Sequence, residues 1–265
     1  MQYTIIDAHA HIFPDKIAAK ATENIGRFYD LAMSYSSGSS ERLLASGEKI
    51  GVSCYLVCST ATRAEQVAAI NDFVAGEVKK HSEFIGLGTL HPDTKNYEEE
   101  VERVISLGLK GIKLHPDFQK FQIDDEKMLP VYRYLAGKLP ILFHTGDKRY
   151  DYSSPKRLRR VLDKVPELVA IAAHFGGYTE WDDAYEYLKC ENVYFDTSSS
   201  LFALSKEQAV KMIEHLGEDR FMFGTDFPMW DHETEYRRFL NLDLPAEVNR
   251  KILCENFNRL FKISK

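Results

Sequence analysis

Two histidines separated by one residue are the first side chains of this chain that could bind a metal. The stretch YTIIDAHAHIF (residues 3–13) places His9 and His11 shortly after Asp7. Side chains in an extended strand alternate between its two faces, so we expect Asp7, His9 and His11 to share one face. Two imidazoles that point the same way either form part of a metal site or pack structurally. Residues elsewhere in the chain must decide between these interpretations.

Further side chains that can bind a metal fall at or near the carboxyl ends of other predicted strands. Eight apolar runs are typical of strands: residues 3–9, 52–59, 84–90, 111–115, 140–145, 168–174, 193–198 and 221–226. The polar groups that end them or follow them, beyond the first pair, are His91, Lys113, His115, His144, His174 and Asp226. Imidazole and carboxylate ligands suit zinc, iron, manganese or nickel. The sequence therefore predicts a divalent-metal site where these strand ends meet.

Helical segments alternate with these strands. Residues 63–80 and 97–107 carry apolar side chains at helical spacing, and Ser205 with Gln208 is a capping-box pattern. Ser154 followed by Pro155 is likewise typical of a helix start. Eight strands alternating with about eight helices predict a (β/α)8 TIM barrel, a single domain over residues 1–265. A doubly wound open sheet is the second fold considered, but no glycine-rich turn follows the first strand.

One segment departs from the alternation of strands and helices. Residues 14 to about 40 follow the first strand and end in SYSSGSS (residues 34–40), which is too polar for a packed element. The segment leaves the carboxyl end of the first strand, the face on which barrels place their active sites. We therefore consider both a flexible surface loop and a mobile lid.

Composition limits the classes of protein that this chain can be. Its 265 residues carry a formal net charge of −6 without a basic block, which argues against a nucleic-acid partner or an anionic membrane surface. No apolar run approaches the roughly 18 residues that a membrane span needs. The four cysteines show no CxxC pair, so we expect neither a cysteine metal site nor a disulfide framework. The first predicted strand begins at about Tyr3, so we expect no targeting segment before it. We expect a soluble cytoplasmic protein with reduced cysteines, and we consider a homodimer as its assembly.

Five motifs, taken together, resemble the amidohydrolase superfamily. They are DAHAHIF in strand one, GIKLHP in strand four, FHTG in strand five, AHFGG in strand six and FGTDFP in strand eight. More narrowly, they are similar to the amidohydrolase-related group that includes aminocarboxymuconate semialdehyde decarboxylase and the lactone hydrolases like it. The resemblance runs from residue 5 to about residue 261. It implies a metal-dependent enzyme that acts on a small molecule.

The resemblance also implies roles for particular residues. The ligands of one divalent metal, for which Zn²⁺ is the first expectation and Mn²⁺, Fe²⁺ and Ni²⁺ are alternatives, would be His9, His11, His144 and Asp226. Asp226 would also act as the general base on a metal-bound water, which a metal brings to a pKa of roughly 7. His174 would hydrogen-bond that water or the substrate. Asp226 and His174 are therefore the expected catalytic residues.

Lys113 leaves the number of metal ions open. In other branches of the superfamily a lysine on strand four is carboxylated and bridges two metals, which here would also recruit His174. Alternatively, Lys113 is an ammonium that binds an acidic substrate, or it forms a salt bridge with Asp7 or Asp226. A buried lysine needs a partner or a modification. We favour one metal, with Lys113 as a substrate-binding or structural cation.

Substrate contacts are expected on the loops that follow the strands. In the loop GDKRYDY (residues 146–152), Arg149 and Tyr152 are candidates for a clamp on an anionic substrate. His115 is a substrate contact or a structural residue, and Phe13 and Trp230 could form the wall for an apolar or aromatic substrate. Solvated loop charges and ordinary packing are the competing explanations.

Three functions fit these residues. A metal-dependent hydrolase that acts on a C–O or C–N bond of a small, carboxylated substrate is the first expectation, and a metal-dependent non-oxidative decarboxylase is the alternative. A binding barrel without catalysis is the third, and the complete ligand set speaks against it. Metal-dependent deoxyribonuclease barrels also begin with HxH, but they usually place a glutamate on strand four, where this chain has GIKLH.

Overall fold

The computed structural model describes residues 3–263 and shows a closed barrel of parallel strands. The strands are β1 (Ile5–His11), β2 (Val52–Cys58), β3 (Phe84–Gly86), β4 (Gly88–Thr89), β5 (Ile112–Leu114), β6 (Ile141–Phe143), β7 (Ala170–Ala172), β8 (Val193–Asp196) and β9 (Phe221–Met222). They pair in parallel in the orders β1-β2-β3 and β4-β5-β6-β7-β8-β9. Each strand falls within or overlaps one of the eight apolar runs, so the predicted TIM barrel is confirmed.

Two junctions close these strands into one ring. β3 and β4 are a single strand interrupted at Leu87, whose N–H donates to the carbonyl of Val57 (2.9 Å), while the next N–H, of Gly88, donates to Gly111 (2.9 Å). At the other junction β1 meets the chain after β9. There Ala8 N–H donates to the carbonyl of Phe223 (2.8 Å), and Asp226 N–H donates to that of His9 (2.8 Å). We call this second junction the seam.

Helices cover the outside of the barrel. They are α1 (Asp15–Tyr29), α2 (Ser40–Glu48), α3 (Val67–Lys80), α4 (Tyr97–Ser106), α5 (Pro116–Gln119), α6 (Leu129–Leu135), α7 (Pro155–Lys164), α8 (Trp181–Tyr187), α9 (Lys206–Leu216), α10 (His232–Leu240), α11 (Ala246–Arg250) and α12 (Asn256–Phe261). A π-helical turn (Lys251–Glu255) joins α11 and α12. The predicted helix starts are confirmed, since α7 begins at Pro155 after Ser154, and Ser205 with Gln208 caps α9.

The apolar residues of the strands separate into two layers. Along β2, Cys54, Leu56 and Cys58 belong to the cluster that fills the barrel, whereas Tyr55 and Val57 pack against the helices. Both faces of these strands are therefore buried, which explains why the runs are apolar almost throughout. Among residues 3–263, no helix has the length and apolar composition needed to cross a bilayer.

A bulge in β1 changes which residues share a face. Between Asp7 and Ala10 the pairing slips, so that three steps along β1 match two along β2. Ile6 and Ala8 pack inside the barrel, and Asp7 points to the helical layer, where it accepts hydrogen bonds from Thr225 (2.6 Å) and contacts His232 (3.0 Å). The expectation that Asp7 shares a face with His9 is therefore wrong, because the extra residue shifts the alternation.

The segment after β1 is largely helical. The expected loop from residue 14 contains α1, and only residues 30–39 connect it to α2 without a regular element. This connection is tethered, because Gly38 N–H donates to Thr22 Oγ1 (2.9 Å) and Ser34 N–H donates to the carbonyl of Met229 (2.9 Å). The interpretation as a flexible surface loop is thus corrected, and a moving lid stays a prediction.

Candidate metal centre and active-site cavity

Three of the four predicted metal ligands converge at the seam. Asp226 Oδ1 lies 3.1 Å from His11 Nε2 and 3.7 Å from His9 Nε2. The bulge in β1 directs both imidazoles inward, and closure of the barrel brings Asp226 opposite them. Asp226 has a φ of 58°, in the left-handed region that few residues other than glycine adopt. Such backbone conformations cluster at functional sites.

His9 is held by a carboxylate that the sequence analysis did not select. Asp196, at the end of β8, places Oδ2 2.9 Å from His9 Nδ1, and both residues are fully buried. Burial would raise the pKa of Asp196, but His9, His174 and Ser198 oppose it and hold that pKa at about 2. An ionised Asp196 fixes the proton of His9 on Nδ1 and leaves the lone pair of Nε2 free for a cation.

His11 lies between a thiol and the Asp226 carboxylate. Its Nδ1 is 3.6 Å from Cys58 Sγ, and its Nε2 faces Asp226. Burial would lower the pKa of His11, but Cys58 and Asp226 oppose it and raise that pKa to about 9. His11 therefore holds a proton beside Asp226, in a place where a divalent cation would provide the same positive charge.

His144 and His174 form a second pair beside these residues. His144 Nδ1 lies 3.0 Å from His174 Nε2, and His174 Nδ1 lies 2.9 Å from Ser198 Oγ. Burial lowers the pKa of His174 to about 4, so the imidazole is neutral at physiological pH. His174, like Asp226, has a left-handed backbone, with a φ of 61°.

Lys113 reaches the centre from β5 and has no carboxylate within ion-pair distance among residues 3–263. It is fully buried, and its Nζ lies 3.2 Å from His9 Nε2. The structure does not show the salt bridges considered for Lys113, because Asp7 contacts His232 and Thr225, and Asp226 contacts His11 and Ser199. Burial lowers the pKa of Lys113. A depressed pKa favours the neutral amine, which is the form that can react with CO2, whereas a substrate carboxylate bound beside Lys113 would favour the ammonium.

His115 connects the centre to α1 and to a buried acid. Its Nε2 lies 3.0 Å from the hydroxyl of Tyr29, and its ring stacks on that of His144 with centroids 4.0 Å apart. On the far side, Asp117 Oδ2 lies 3.5 Å from His144 Nε2, an atom that has no hydrogen bond within the described chain. Burial raises the pKa of Asp117 to about 7. Asp117 is thus placed to orient His144.

These groups lie at one end of a cavity of about 680 Å³. The metal-competent and charged groups of this end are His11, Lys113, His115, His144, His174 and Asp226. The walls from α1, α3 and the segments that follow β1 and β9 are mainly apolar, whereas the segment after β2 contributes polar residues: Ser59, Thr60, Thr62, Glu65 and Gln66. A cavity of this size, with polar groups at one end and apolar walls, is typical of a small-molecule site.

Three predicted substrate contacts lie off this cavity in the described chain. Arg149 makes a bidentate ion pair with Asp147 and donates to the carbonyl of Phe28 (2.7 Å). Trp230 donates to Ser199 Oγ (3.0 Å), and Tyr152 stacks on Tyr150. The loop carboxylate of Asp147 neutralises Arg149, so the structure does not present this guanidinium to a ligand. Phe13 and His115, in contrast, do line the cavity.

Asp196, Cys58 and Tyr29 belong to the site although none of them is a predicted site residue. A signal existed for Asp196, because VYFDTS ends a predicted strand with a carboxylate, as FGTD does. Cys58 carries a weaker signal, because its predicted strand, residues 52–59, also ends at the barrel mouth. Tyr29 lies at the end of α1, whose helical periodicity is present in the sequence but is obscured by the Ser-rich stretch that follows it.

The residues present fit a divalent metal. Nε2 of His9, Nε2 of His11 and a carboxylate oxygen of Asp226 converge. The other ring nitrogen of His9 contacts the Asp196 carboxylate, and buried His144 Nε2 faces the Asp117 carboxylate. This is the pattern of metal-bound histidines, whose other ring nitrogen usually contacts a carboxylate or carbonyl. The fold and the site together define a metal-dependent barrel enzyme.

The chain belongs to the amidohydrolase family. The family model described as Amidohydrolase matches residues 6–263, nearly the whole chain, and confirms the resemblance drawn from the five motifs. A search of curated proteins finds no match.

Solved structures share the fold at low sequence identity. An uncharacterised TIM-barrel protein from Bordetella bronchiseptica has a TM-score of 0.80 at 19% identity, with 98% of each chain covered. A 5-carboxyvanillate decarboxylase from Sphingomonas paucimobilis has a TM-score of 0.76 at 18% identity, covering 99% of this chain and 100% of its own. A dihydroxybenzoic acid decarboxylase from Polaromonas sp. JS666, with bound manganese and 2-nitroresorcinol, has a TM-score of 0.77 at 18% identity, covering 99% and 98%.

Proposed function

We propose that this protein is a metal-dependent non-oxidative decarboxylase of a carboxylic acid. One observation carries the proposal: three of the four candidate metal ligands, His11, His144 and Asp226, line one end of a cavity together with a buried lysine. A substrate carboxylate at that end would meet positive charge while it is removed from water. The structural likeness to decarboxylases supports this choice over the hydrolase that the sequence first suggested.

Four residues would hold the metal: His9, His11, Asp226 and His144. When bound, the divalent ion would neutralise and orient the anionic groups of the substrate. Manganese occurs in one similar decarboxylase, and zinc was the expectation from sequence, so the native ion has to be measured. Asp196 would keep the lone pair of His9 directed at the site.

The chain's own groups would guide the carboxylate and the proton. Lys113 Nζ, on the polar wall, would bind the carboxylate before the bond breaks. Loss of CO2 leaves the bonding electron pair on the substrate carbon, which then needs a proton. His174 and Asp226 both line the cavity and are the candidates to deliver it. Because burial keeps His174 neutral and the surrounding histidines keep Asp226 ionised, each must first receive that proton from the substrate or solvent.

CO2 release tests the proposal directly. Protein loaded with Mn²⁺ or with Zn²⁺ is incubated with a panel of hydroxylated aromatic carboxylic acids, and headspace CO2 is measured by mass spectrometry. We expect one CO2 for each molecule of decarboxylated product. In Asp226→Asn we expect the rate of CO2 release to fall at least about 100-fold, because this change removes a carboxylate that would both bind the metal and move protons. Asp182→Asn, an exposed change, is the control. Metal-loaded protein that releases no CO2 but hydrolyses esters or lactones would overturn the proposal.

Hydrolysis is the second candidate function. The observation in its favour is the position of Asp226, 3.1 Å from His11 Nε2, because a carboxylate at a metal ligand can take the proton of a bound water. The same ligands serve both reactions, so the ester and lactone assays above decide between them.

A further inference from the structure

The cavity continues well beyond the polar end that the proposed function uses. Its outer part runs between two helices whose lining residues are mostly apolar: Ile17, Ala21 and Ile25 on α1, and Ala69, Ile70 and Phe73 on α3. Asn24 on α1, and Glu65 and Gln66 just before α3, are the polar exceptions. On α1 the lining positions from Ile17 to Phe28 extend over roughly 16 Å of helix axis at 1.5 Å per residue. A single aromatic ring with its carboxylate at the polar end would leave this outer part unfilled.

The outer walls carry apolar surface that the fold itself does not cover. Ile17 is 52% exposed although it lies on the cavity, and Ala69 is exposed as well. At about 680 Å³ the whole cavity falls within the range of roughly 300–1,000 Å³ that holds a ligand of drug size. Apolar walls that remain open to solvent indicate that an apolar ligand group covers them.

Charge along the cavity argues against a second anionic group on that ligand. Among the described lining residues, Lys113 is the single lysine, there is no arginine, and the outer part contains Glu65. Arg149, which could have bound a second carboxylate, is paired with Asp147 and lies off the cavity. An acid with its one carboxylate at the polar end therefore fits better than a dicarboxylate.

We propose that the substrate is a monocarboxylic acid with an extended apolar group, and that this group lies between α1 and α3. This inference rests on the proposed function for the position of the carboxylate. It predicts that affinity grows with apolar length, by about three- to fourfold for each methylene that is buried, until the space between the helices is filled.

Calorimetric binding of a homologous series tests the inference without catalysis. Benzoate and its 4-butyl, 4-hexyl and 4-octyl derivatives are titrated into metal-loaded protein below their micelle concentrations. We expect 4-hexylbenzoate to bind at least about 30-fold more tightly than benzoate. Ala21→Trp, which fills the cavity, should remove most of this gain and leave benzoate binding within about twofold. Ala19→Trp, two positions away on the exposed face of α1, should keep it.

A second pair of variants tests the opposite wall. Ala69→Glu places a charge on the α3 side of the cavity and should reduce the gain from chain length at least tenfold, whereas Ala68→Glu, exposed and off the cavity, should not. Both positions are exposed on a helix, so neither change threatens folding. Metal content of each variant is measured to show that the polar end is intact.

The outcomes separate this inference from the proposed function. Equal affinity for all four acids overturns the apolar-tail inference, whether or not CO2 is released from short acids. The inference is supported if affinity rises with chain length and if Ala21→Trp and Ala69→Glu remove that rise. Absence of CO2 release from 4-hexyl-2-hydroxybenzoate would count against the decarboxylase alone. Failure of every carboxylate to bind the metal-loaded protein overturns both.

Discussion

His9 contacts a functional group through each of its ring nitrogens. Nδ1 meets the carboxylate of Asp196 at 2.9 Å, and Nε2 meets Lys113 Nζ at 3.2 Å and Asp226 Oδ1 at 3.7 Å. A neutral imidazole has one proton, so the contact with ionised Asp196 determines which nitrogen keeps it. The chemistry of the centre therefore depends on a residue that never needs to touch the metal.

Replacement of Asp196 tests this dependence. Asp196→Asn keeps the shape of the side chain but removes its charge, so we expect metal affinity to fall by about 10- to 100-fold. Affinity is measured by competition with a chelating dye, and circular dichroism checks the fold. Asp182→Asn is the matched control on the surface. Unchanged affinity in Asp196→Asn would mean that His9 does not need its carboxylate.

Metal content decides the role of Lys113. Elemental analysis of protein purified without chelator should give about one equivalent per chain, because Lys113 Nζ contacts a ligand nitrogen as an amine would. That equivalent should be lost in His9→Ala and kept in Lys113→Ala. Close to two equivalents, falling when Lys113 is removed, would instead indicate a carboxylated lysine that bridges two ions.

At the scale of elements, α1 is fastened at its carboxyl end. Arg149 donates to the carbonyl of Phe28 (2.7 Å), and the hydroxyl of Tyr29 contacts His115 Nε2 (3.0 Å). The guanidinium also lies over the rings of Phe28 and Tyr29, 5.0 and 5.3 Å from their centroids. Arg149 thus stabilises the carboxyl end of α1, the helix that forms one wall of the cavity.

Loss of this contact should loosen α1. Arg149→Met keeps the apolar stem but removes the hydrogen-bond donor. We therefore expect amide hydrogens of residues 26–31 to exchange about tenfold faster, which corresponds to a free energy of local opening lower by about 1.4 kcal/mol. Hydrogen-exchange mass spectrometry measures this. Arg133→Met, an exposed change on α6, should leave the same peptide unaffected. Equal exchange in both variants would contradict the fastening role.

On α10, a buried acid makes stability depend on pH. Burial raises the pKa of Glu235 to about 7, although Arg238 opposes this. The native state thus binds the Glu235 proton more tightly than the unfolded state, whose pKa is near 4.5. The resulting stability is present below about pH 4.5 and is lost as pH rises through about 7.

Glu235→Gln removes this pH dependence. The free energy of unfolding of the variant, relative to the parent protein, should increase by up to about 3 kcal/mol between pH 4.5 and pH 8. Urea denaturation at several pH values measures it. Glu233→Gln, on the same helix but exposed, should give a nearly constant difference. Parallel pH profiles for the parent protein and Glu235→Gln would show that Glu235 titrates normally.

Two elements show where interpretation of the sequence stops. The periodicity of α1 was present, since Ile17, Ala21, Ile25 and Phe28 recur at helical spacing. It was overlooked because the Ser-rich stretch behind it dominated the composition. The bulge in β1, in contrast, leaves no trace in the residue types, because inward and outward positions near Asp7 are equally buried. The one-residue shift in register at this point is determined by the pairing of β1 with β2.

At the scale of the whole molecule, the sequence was sufficient for the barrel and for the convergence of His9, His11 and Asp226. Both follow from order along the chain, because the carboxyl ends of parallel strands must meet at one face. The walls of the cavity did not follow, because α1 and α3 are separated in sequence by α2 and β2 and come together only in the folded barrel. The partner of Arg149 did not follow either, since the ion pair with Asp147 forms only in the folded geometry, and a substrate contact at Arg149 stays a prediction.

Metal binding should stabilise the barrel as a whole. His9 and Asp226 lie on opposite sides of the seam, so an ion bound by both links the first strand to the last. At a free metal concentration 100 times Kd we expect about 2.7 kcal/mol of added stability, a rise in Tm of about 5–10 °C. Differential scanning fluorimetry measures it, and the rise should vanish in His9→Ala. A rise of equal size in that variant would place the ion elsewhere.

The seam also has a consequence for how the protein is made. His9 precedes Asp226 by most of the barrel sequence, so it leaves the ribosome well before Asp226 does. At about 5–20 residues per second, the interval between them is on the order of ten to forty seconds. A nascent chain that has not reached Asp226 lacks both the closing segment of the ring and the carboxylate that completes the trio of donors. Tight binding of the metal ion therefore becomes possible only after synthesis has passed Asp226.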